Sequence, residues 1–224
     1  MRQNKKEMKT KKSHYIQDLI LEGEHEHQDF KYQITDARKI ARSIAAFANN
    51  SGGHLLIGVK DNGNIAGVRS EEEIYMIETA AQMYCRPEQK VAFQVFNVNG
   101  KSVVKADIAE ADEKPVEAPD DNGNWHVYFR VADENVLASR LHEHIMKNAT
   151  ASDEEQEDNG TIVYSEREQL LLNYLDTHGG ITLEGYMKLA HISEETAMQT
   201  VVTLHGMGLL TVQYHDGQCL IVAI

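Results

Sequence analysis

The sequence predicts an α+β protein in two folded parts, and three observations carry that prediction. A helix-period segment runs through a double glycine into a short apolar run, two alternating segments flank Asn99-Gly100, and the C-terminal segment changes to three capped helices and a second hairpin. At 224 residues, 42% of them hydrophobic and 25% charged, the chain has room for one medium domain and one small one.

The elements of the first part follow in order. A strand at residues 29–33 opens it. Asp36 caps a helix whose apolar positions, Ala37, Ile40, Ala41, Ile44, Ala45 and Ala48, recur at three- and four-residue spacing, so one face is buried. The helix stops at Asn49-Asn50, and those asparagines with Gly52-Gly53 tolerate the positive φ of a sharp turn. Residues 55–59 are too few for a helix and nearly continuous in apolar side chains, as a central strand covered on both faces would be. A second helix spans 70–84, with Ser70 and Glu73 as a capping box. Val91 to Val98 and Lys101 to Ile108 alternate apolar and polar around Asn99-Gly100, a hairpin turn. A strand at 127–131 and a helix at 139–147 complete the part.

Charge sets the boundaries and narrows the function. Residues 1–14 carry six cations, Arg2, Lys5, Lys6, Lys9, Lys11 and Lys12, against Glu7, a net of +5. That segment reads as a basic disordered tail able to hold phosphate. Residues 149–161 are polar, acidic and aperiodic, an expected linker between domains at 15–148 and 162–224. The net charge of −13 argues against a simple nucleic-acid-binding surface, which is ordinarily basic. No signal segment or membrane-length apolar run is visible. Cys85 and Cys219 are far apart and lack metal-ligand spacing, so reduced thiols in a cytoplasmic protein are expected.

The most specific stretch is Ala46-Phe47-Ala48-Asn49, then Gly52-Gly53, then a strand ending in Gly58-Val59 with Asp61 beyond it. Upstream stand Glu24 and Asp29-Phe30-Lys31; downstream stand Gly67 and Tyr128-Phe129-Arg130-Val131. Together these resemble the signature of the Schlafen AlbA_2 family over about residues 15–148. The resemblance implies an Alba-like βαβαββ domain, DNA or RNA as partner, and Phe30, Phe47, Asn49, Gly52, Gly53 and Gly58 as structural motif positions. In Schlafen proteins that cut RNA it points to three carboxylates on a divalent cation, here Glu24, Asp29 and Asp61 with Mg or Mn, because a metal stabilises the transferring phosphate and activates water. Asp29 stands where that family usually has glutamate. The Schlafen nuclease core also joins two lobes and a cysteine-rich zinc site, so in this one-lobed chain an equivalent groove would come from a homodimer.

In the C-terminal segment Ser165 and Glu168 box the start of a helix that Gly179-Gly180 ends, Thr182 opens a second, and Ser193 opens a third. Strands at 209–214 and 218–224 flank His215-Asp216-Gly217. The whole resembles a winged helix-turn-helix domain. Its third helix begins Ser193-Glu194-Glu195, and the segment sets Arg167 and Lys188 against seven carboxylates, a net of −5. Such a surface repels phosphate and suits dimerisation or a protein partner.

Other candidates carry less. Gly100-Lys101-Ser102 is no phosphate loop, because Val95 occupies the place of the required first glycine and the triplet lies in a hairpin. His25 and His27 read as solvated positions, and His142 and His144 fall on a helix, where alternating residues diverge. The leading reading is therefore a non-enzymatic, cofactor-free nucleic-acid-binding transcriptional regulator, a homodimer with Lys31, Arg38, Arg42 and Arg130 on phosphates. One alternative is a metal-dependent nuclease using Glu24, Asp29 and Asp61. The other is an oligomerisation or protein-interaction scaffold.

Overall fold

The computed structural model describes residues 14–68, 71–149 and 164–224. The basic tail through residue 13, the expected cap Ser70 and the acidic linker from residue 150 lie outside the described residues. The chain divides between Leu137 and Ala138 into two compact units. Both mix helices with sheets, as the α+β class requires.

In the first unit a helix over residues 14–22 (α1) precedes β1 (Gln28–Lys31), α2 (Ala37–Asn49), β2 (Gly53–Ile57), α3 (Glu72–Met83), β3 (Val91–Val98), β4 (Lys101–Ile108), β5 (Glu117–Pro119), β6 (Trp125–Val131) and β7 (Glu134–Leu137). One sheet runs β1-β2-β4-β3, parallel between β1 and β2 and antiparallel elsewhere; a smaller sheet runs β5-β6-β7. The register of β2 explains its continuous apolar run. Leu55 and Ile57 enter a core shared with α2 and α3, while Leu56 enters an opposite core with Ile16, Phe30, Phe96, Val98 and Val103. Both faces are covered, and α1 supplies the cover on the second.

Asp36 caps α2 by accepting from Arg38 N at 2.9 Å. One buried face understates this helix. Every residue from Ser43 to Asn49 is buried, because α2 packs on α3 and on strands of both sheets, and this C-terminal half, enclosed all round, needs no polar stripe. The asparagines do not make the turn. Asn49 is the last helical residue and Asn50 has φ −85°, so the positive φ, +77°, falls on Gly52. A Cβ on Gly52 would sit 2.8 Å from Ile108 O, and one on Gly53 would strike the Phe47 ring. Close approach therefore fixes both glycines.

The second unit comprises α4 (Arg140–Ala149), α5 (Glu166–His178), α6 (Leu183–Ala190), α7 (Glu194–Gly206) and the hairpin β8 (Leu210–His215) and β9 (Gln218–Ala223). The Ser165–Glu168 box and the Thr182 and Ser193 caps are formed. The reading that closes the first part with α4 is corrected: Leu141 and Ile145 join Leu171, Leu175, Tyr186, Val201 and Ile221 in the second core. Their i, i+4 spacing fixes an apolar stripe but not which core receives it. Among the described residues no helix is long and apolar enough to cross a membrane.

Candidate nucleic-acid interface

The first group of predicted residues gathers at β1, an edge strand. Glu24 Oε1 accepts from Phe30 N at 2.9 Å, satisfying an amide that a sheet edge otherwise leaves open. Burial raises the Glu24 pKa above the usual carboxylate value, and the neighbouring Asp29 carboxyl adds to the rise. Asp29, buried, takes the Lys31 ammonium on both oxygens, at 2.8 and 2.7 Å. Lys31 also donates to Phe30 O at 3.0 Å.

Arg130 is no surface cation, and its expected phosphate contact is corrected. The residue is 3% exposed. Its Nη1 donates to Asn135 Oδ1 and its Nη2 to His25 O, each at 3.0 Å, and its guanidinium lies 4.8 Å over the Phe47 ring and 3.9 Å from Asp29. Burial lowers its pKa. The motif asparagines work alongside it. Asn49 Nδ2 donates to Val116 O at 2.8 Å and Tyr128 O at 2.7 Å, while its Oδ1 accepts from Val116 N at 2.7 Å. Asn50 brackets the Arg130 backbone, accepting from its N at 2.9 Å and donating to its O at 3.0 Å. Phe47, Asn49 and Asn50 thus clamp the end of α2 onto β6.

The three predicted carboxylates do not form a metal centre. Among the described residues no three His, Cys, Asp or Glu side chains are grouped to hold an ion. Asp61 is exposed in a turn closed by Gly63 N donating to Lys60 O at 2.7 Å. Both Asp29 oxygens already face an ammonium. A hard divalent cation needs several available oxygens, so this donor set does not fit one.

A second surface lies on the outer side of α2, where Arg38 and Lys39 are exposed. Arg42 donates through Nε to Pro119 O at 2.9 Å and pairs through Nη2 with Asp121 at 2.6 Å. Each arginine here meets a ring: Arg42 lies 5.9 Å over Tyr128, Arg38 lies 5.9 Å over Tyr84, and Arg86 lies 3.6 Å over Trp125. Pro119 pairs with Trp125 across β5 and β6. Cys85, between Tyr84 and Arg86, donates to Ala41 O of α2 at 3.6 Å. These links put the three arginine–aromatic pairs on one side of the unit. Burial pushes the Cys85 thiol up to about 12, so it is no nucleophile. Sequence reasoning found Arg38 and Arg42 but passed over Tyr84, Arg86 and the chain's one tryptophan. The signal was there: Tyr84 and Arg86 bracket a single residue.

In the second unit α4 packs against α7. Arg140 Nη1 donates to Glu194 Oε1 at 2.9 Å, and a groove of about 720 Å³ between the helices is lined by Arg140, His144, Asn148, Glu194, Glu195 and Met198. The helix expected to read a groove of DNA is flanked by another helix at its acidic start.

No curated protein matches the chain. The solved structures similar to it include the following two. The DIP2311 protein from Corynebacterium diphtheriae is 21% identical with a TM-score of 0.44, the alignment covering 87% of this chain and 34% of that one. The N-terminal domain of a RecG-related protein from Nitrosomonas europaea is 18% identical with a TM-score of 0.34, covering 52% of this chain and 85% of that one. The chain thus spans about a third of the length of the first. The model of the Schlafen AlbA_2 family matches residues 24–139, more than half of the sequence and all of the clamp just described, and the protein belongs to that family.

Proposed function

We propose that the protein is a non-enzymatic, nucleic-acid-associated regulator whose first unit binds through the outer side of α2. The observation that carries this reading is the seating of Arg38, Arg42 and Arg86 on Tyr84, Tyr128 and Trp125. Guanidinium groups meet phosphate oxygens, and rings or guanidinium planes stack on bases. The basic tail adds counter-charge that the rest of this acidic chain lacks. The three helices and hairpin of the second unit serve as a winged-helix-like docking module rather than an operator reader, because Glu194 and Glu195 stand where phosphates would lie. Metal-dependent cleavage is the weaker reading, since Lys31 and Arg130 already balance Glu24 and Asp29.

The test is binding of labelled single- and double-stranded DNA and RNA across a salt series, with Mg²⁺ and with chelator. Binding that falls with salt, without cleavage, and with the slope reduced by about 0.7–0.9 for each of Arg38→Gln and Arg42→Gln, supports the proposal. Metal-dependent cleavage abolished by Glu24→Gln would replace it with the nuclease. Neither binding nor cleavage would leave the scaffold.

A further inference from the structure

The edges of the first unit's sheets are treated unequally. At β1, Glu24 covers Phe30 N, and His25 and Gln28 exchange backbone hydrogen bonds at 3.0 and 3.1 Å. At β5, Arg86 and Glu117 exchange theirs at 3.0 and 2.7 Å, and β7 has only four residues. The remaining edge, β3, has eight residues, Val91–Val98, and no partner on its outer side among the described residues. It contains no proline and no charged side chain, the two devices that ordinarily stop a strand from pairing.

The hairpin register identifies which groups face out. The two-residue Asn99-Gly100 turn makes Val98 and Lys101 a hydrogen-bonded pair, and pairing alternates from there. Val91, Phe93, Val95 and Asn97 therefore direct their amide N–H and C=O groups outward. Val95 is 60% exposed although its neighbours on that face, Val91 and Phe93, pack on the core.

We infer that β3 is a homodimer interface, at which a second copy adds its own β3 antiparallel about a two-fold axis at Gln94. Only a residue-centred axis keeps corresponding faces of the two sheets on one side. With the axis at Gln94, Phe93 lies opposite the partner's Val95, Phe96 opposite the partner's Ala92, and Gln94 opposite the partner's Gln94. Aromatic meets β-branched, large meets small, and amide meets amide, as favourable cross-strand pairs require. No charge faces a charge. The sheet becomes eight strands with β3 in its middle.

Light scattering on the full chain tests this, alongside Val95→Lys and Val95→Pro. A lysine places a charge on the apolar seam, and a proline removes a donor that faces solvent in the monomer, a place where edge strands tolerate it. The wild type should show twice the 25.2 kDa chain mass, and both variants the single mass, with cooperative tryptophan-monitored unfolding that matches the wild type diluted to its monomer. Slow amide exchange at Phe93 and Val95 should appear in the wild-type dimer and disappear on dilution. A wild-type monomer at every soluble concentration overturns the inference, as does a dimer that survives both substitutions. Protection of those amides only on adding a foreign extended peptide would assign the edge to another protein's strand and overturn it too.

Discussion

Replacing Arg130 with methionine separates a fold-forming arginine from a ligand-binding one. The substitution removes charge-assisted hydrogen bonds to Asn135 and to His25 O, each of a kind that contributes about 1.5–3 kcal/mol. It also removes the guanidinium from Phe47, though methionine keeps part of that packing. Asp29 retains Lys31 at 2.7 Å, so the loss stays at the low end of the ~3–5 kcal/mol found when a buried ion pair is broken. A net destabilisation of about 3 kcal/mol follows. Trp125 is the only tryptophan and lies in the first unit, so its fluorescence during urea unfolding reports that unit. With a slope near ~2 kcal/mol per molar urea the midpoint should drop by about 1.5 M. Arg42→Gln, which loses a bond to Pro119 O, the Tyr128 ring contact and a pair with exposed Asp121, should lower the midpoint much less than Arg130→Met does and weaken nucleic-acid binding instead. An Arg130→Met protein with a wild-type midpoint and lost affinity would refute the reasoning, because it would place the guanidinium on the ligand.

Three further outcomes are expected. Asn49→Ala strips partners from Val116 N, Val116 O and Tyr128 O, and at about 1–2 kcal/mol for each orphaned group it should cost ~3–6 kcal/mol in the same urea assay; a loss below ~1 kcal/mol would mean water replaces the amide. Asp121→Asn releases Arg42 from its pair with an exposed carboxylate and should tighten nucleic-acid binding modestly by anisotropy, because exposed pairs contribute little, whereas weaker binding would place Asp121 on the ligand side. The His54 pKa is lowered to about 4, by burial first and by the Lys105 ammonium next. The folded protein therefore binds this proton later than the unfolded chain does, near ~6.5, so its contribution is complete above that pH and is lost as pH falls toward about 4. His54→Gln should flatten that part of the tryptophan-reported stability profile, and an unchanged profile would count against a half-buried neutral imidazole.

Local chemistry made much of this structure legible. Caps and turns act within a few residues, so Asp36, Thr182, Ser193 and the Asn99-Gly100 hairpin could be placed from sequence alone. What escaped depends on contacts between distant segments. Short β5 and β7 exist because β6 lies between them, and three or four residues hold too little alternation to register. Helix α1 did carry a stripe, Ile16, Leu19 and Ile20, hidden by its position beside the charged tail. Asn49 and Asn50 were read for backbone freedom, yet they act through side-chain amides on strands some 70–80 residues later in the sequence. Arg130 illustrates the same limit: residue type announces a cation, but only the fold decides whether water, phosphate or a phenylalanine ring receives it.

The residues that identify the family are therefore largely consumed in building it. Phe47, Asn49, Gly52, Gly53, Asp29 and Arg130 form one continuous join between β1, the end of α2 and β6, with Glu24 closing the strand edge beside them. A carboxylate already holding an ammonium and an arginine already holding two acceptors have little left to offer a ligand. Groups that retain unused capacity lie elsewhere: Arg38 and Lys39 on the outer side of α2, Arg86 beside them, Arg42 when exposed Asp121 gives way to a phosphate, and the open amides of β3. These features occupy different elements and answer to different measurements. Salt-dependent binding should respond to the arginines and not to Val95, unless doubling the surface is what makes it strong enough. If Val95→Lys weakens binding while leaving single-site salt dependence intact, two modest sites joined by the β3 edge account for how so acidic a protein holds a polyanion.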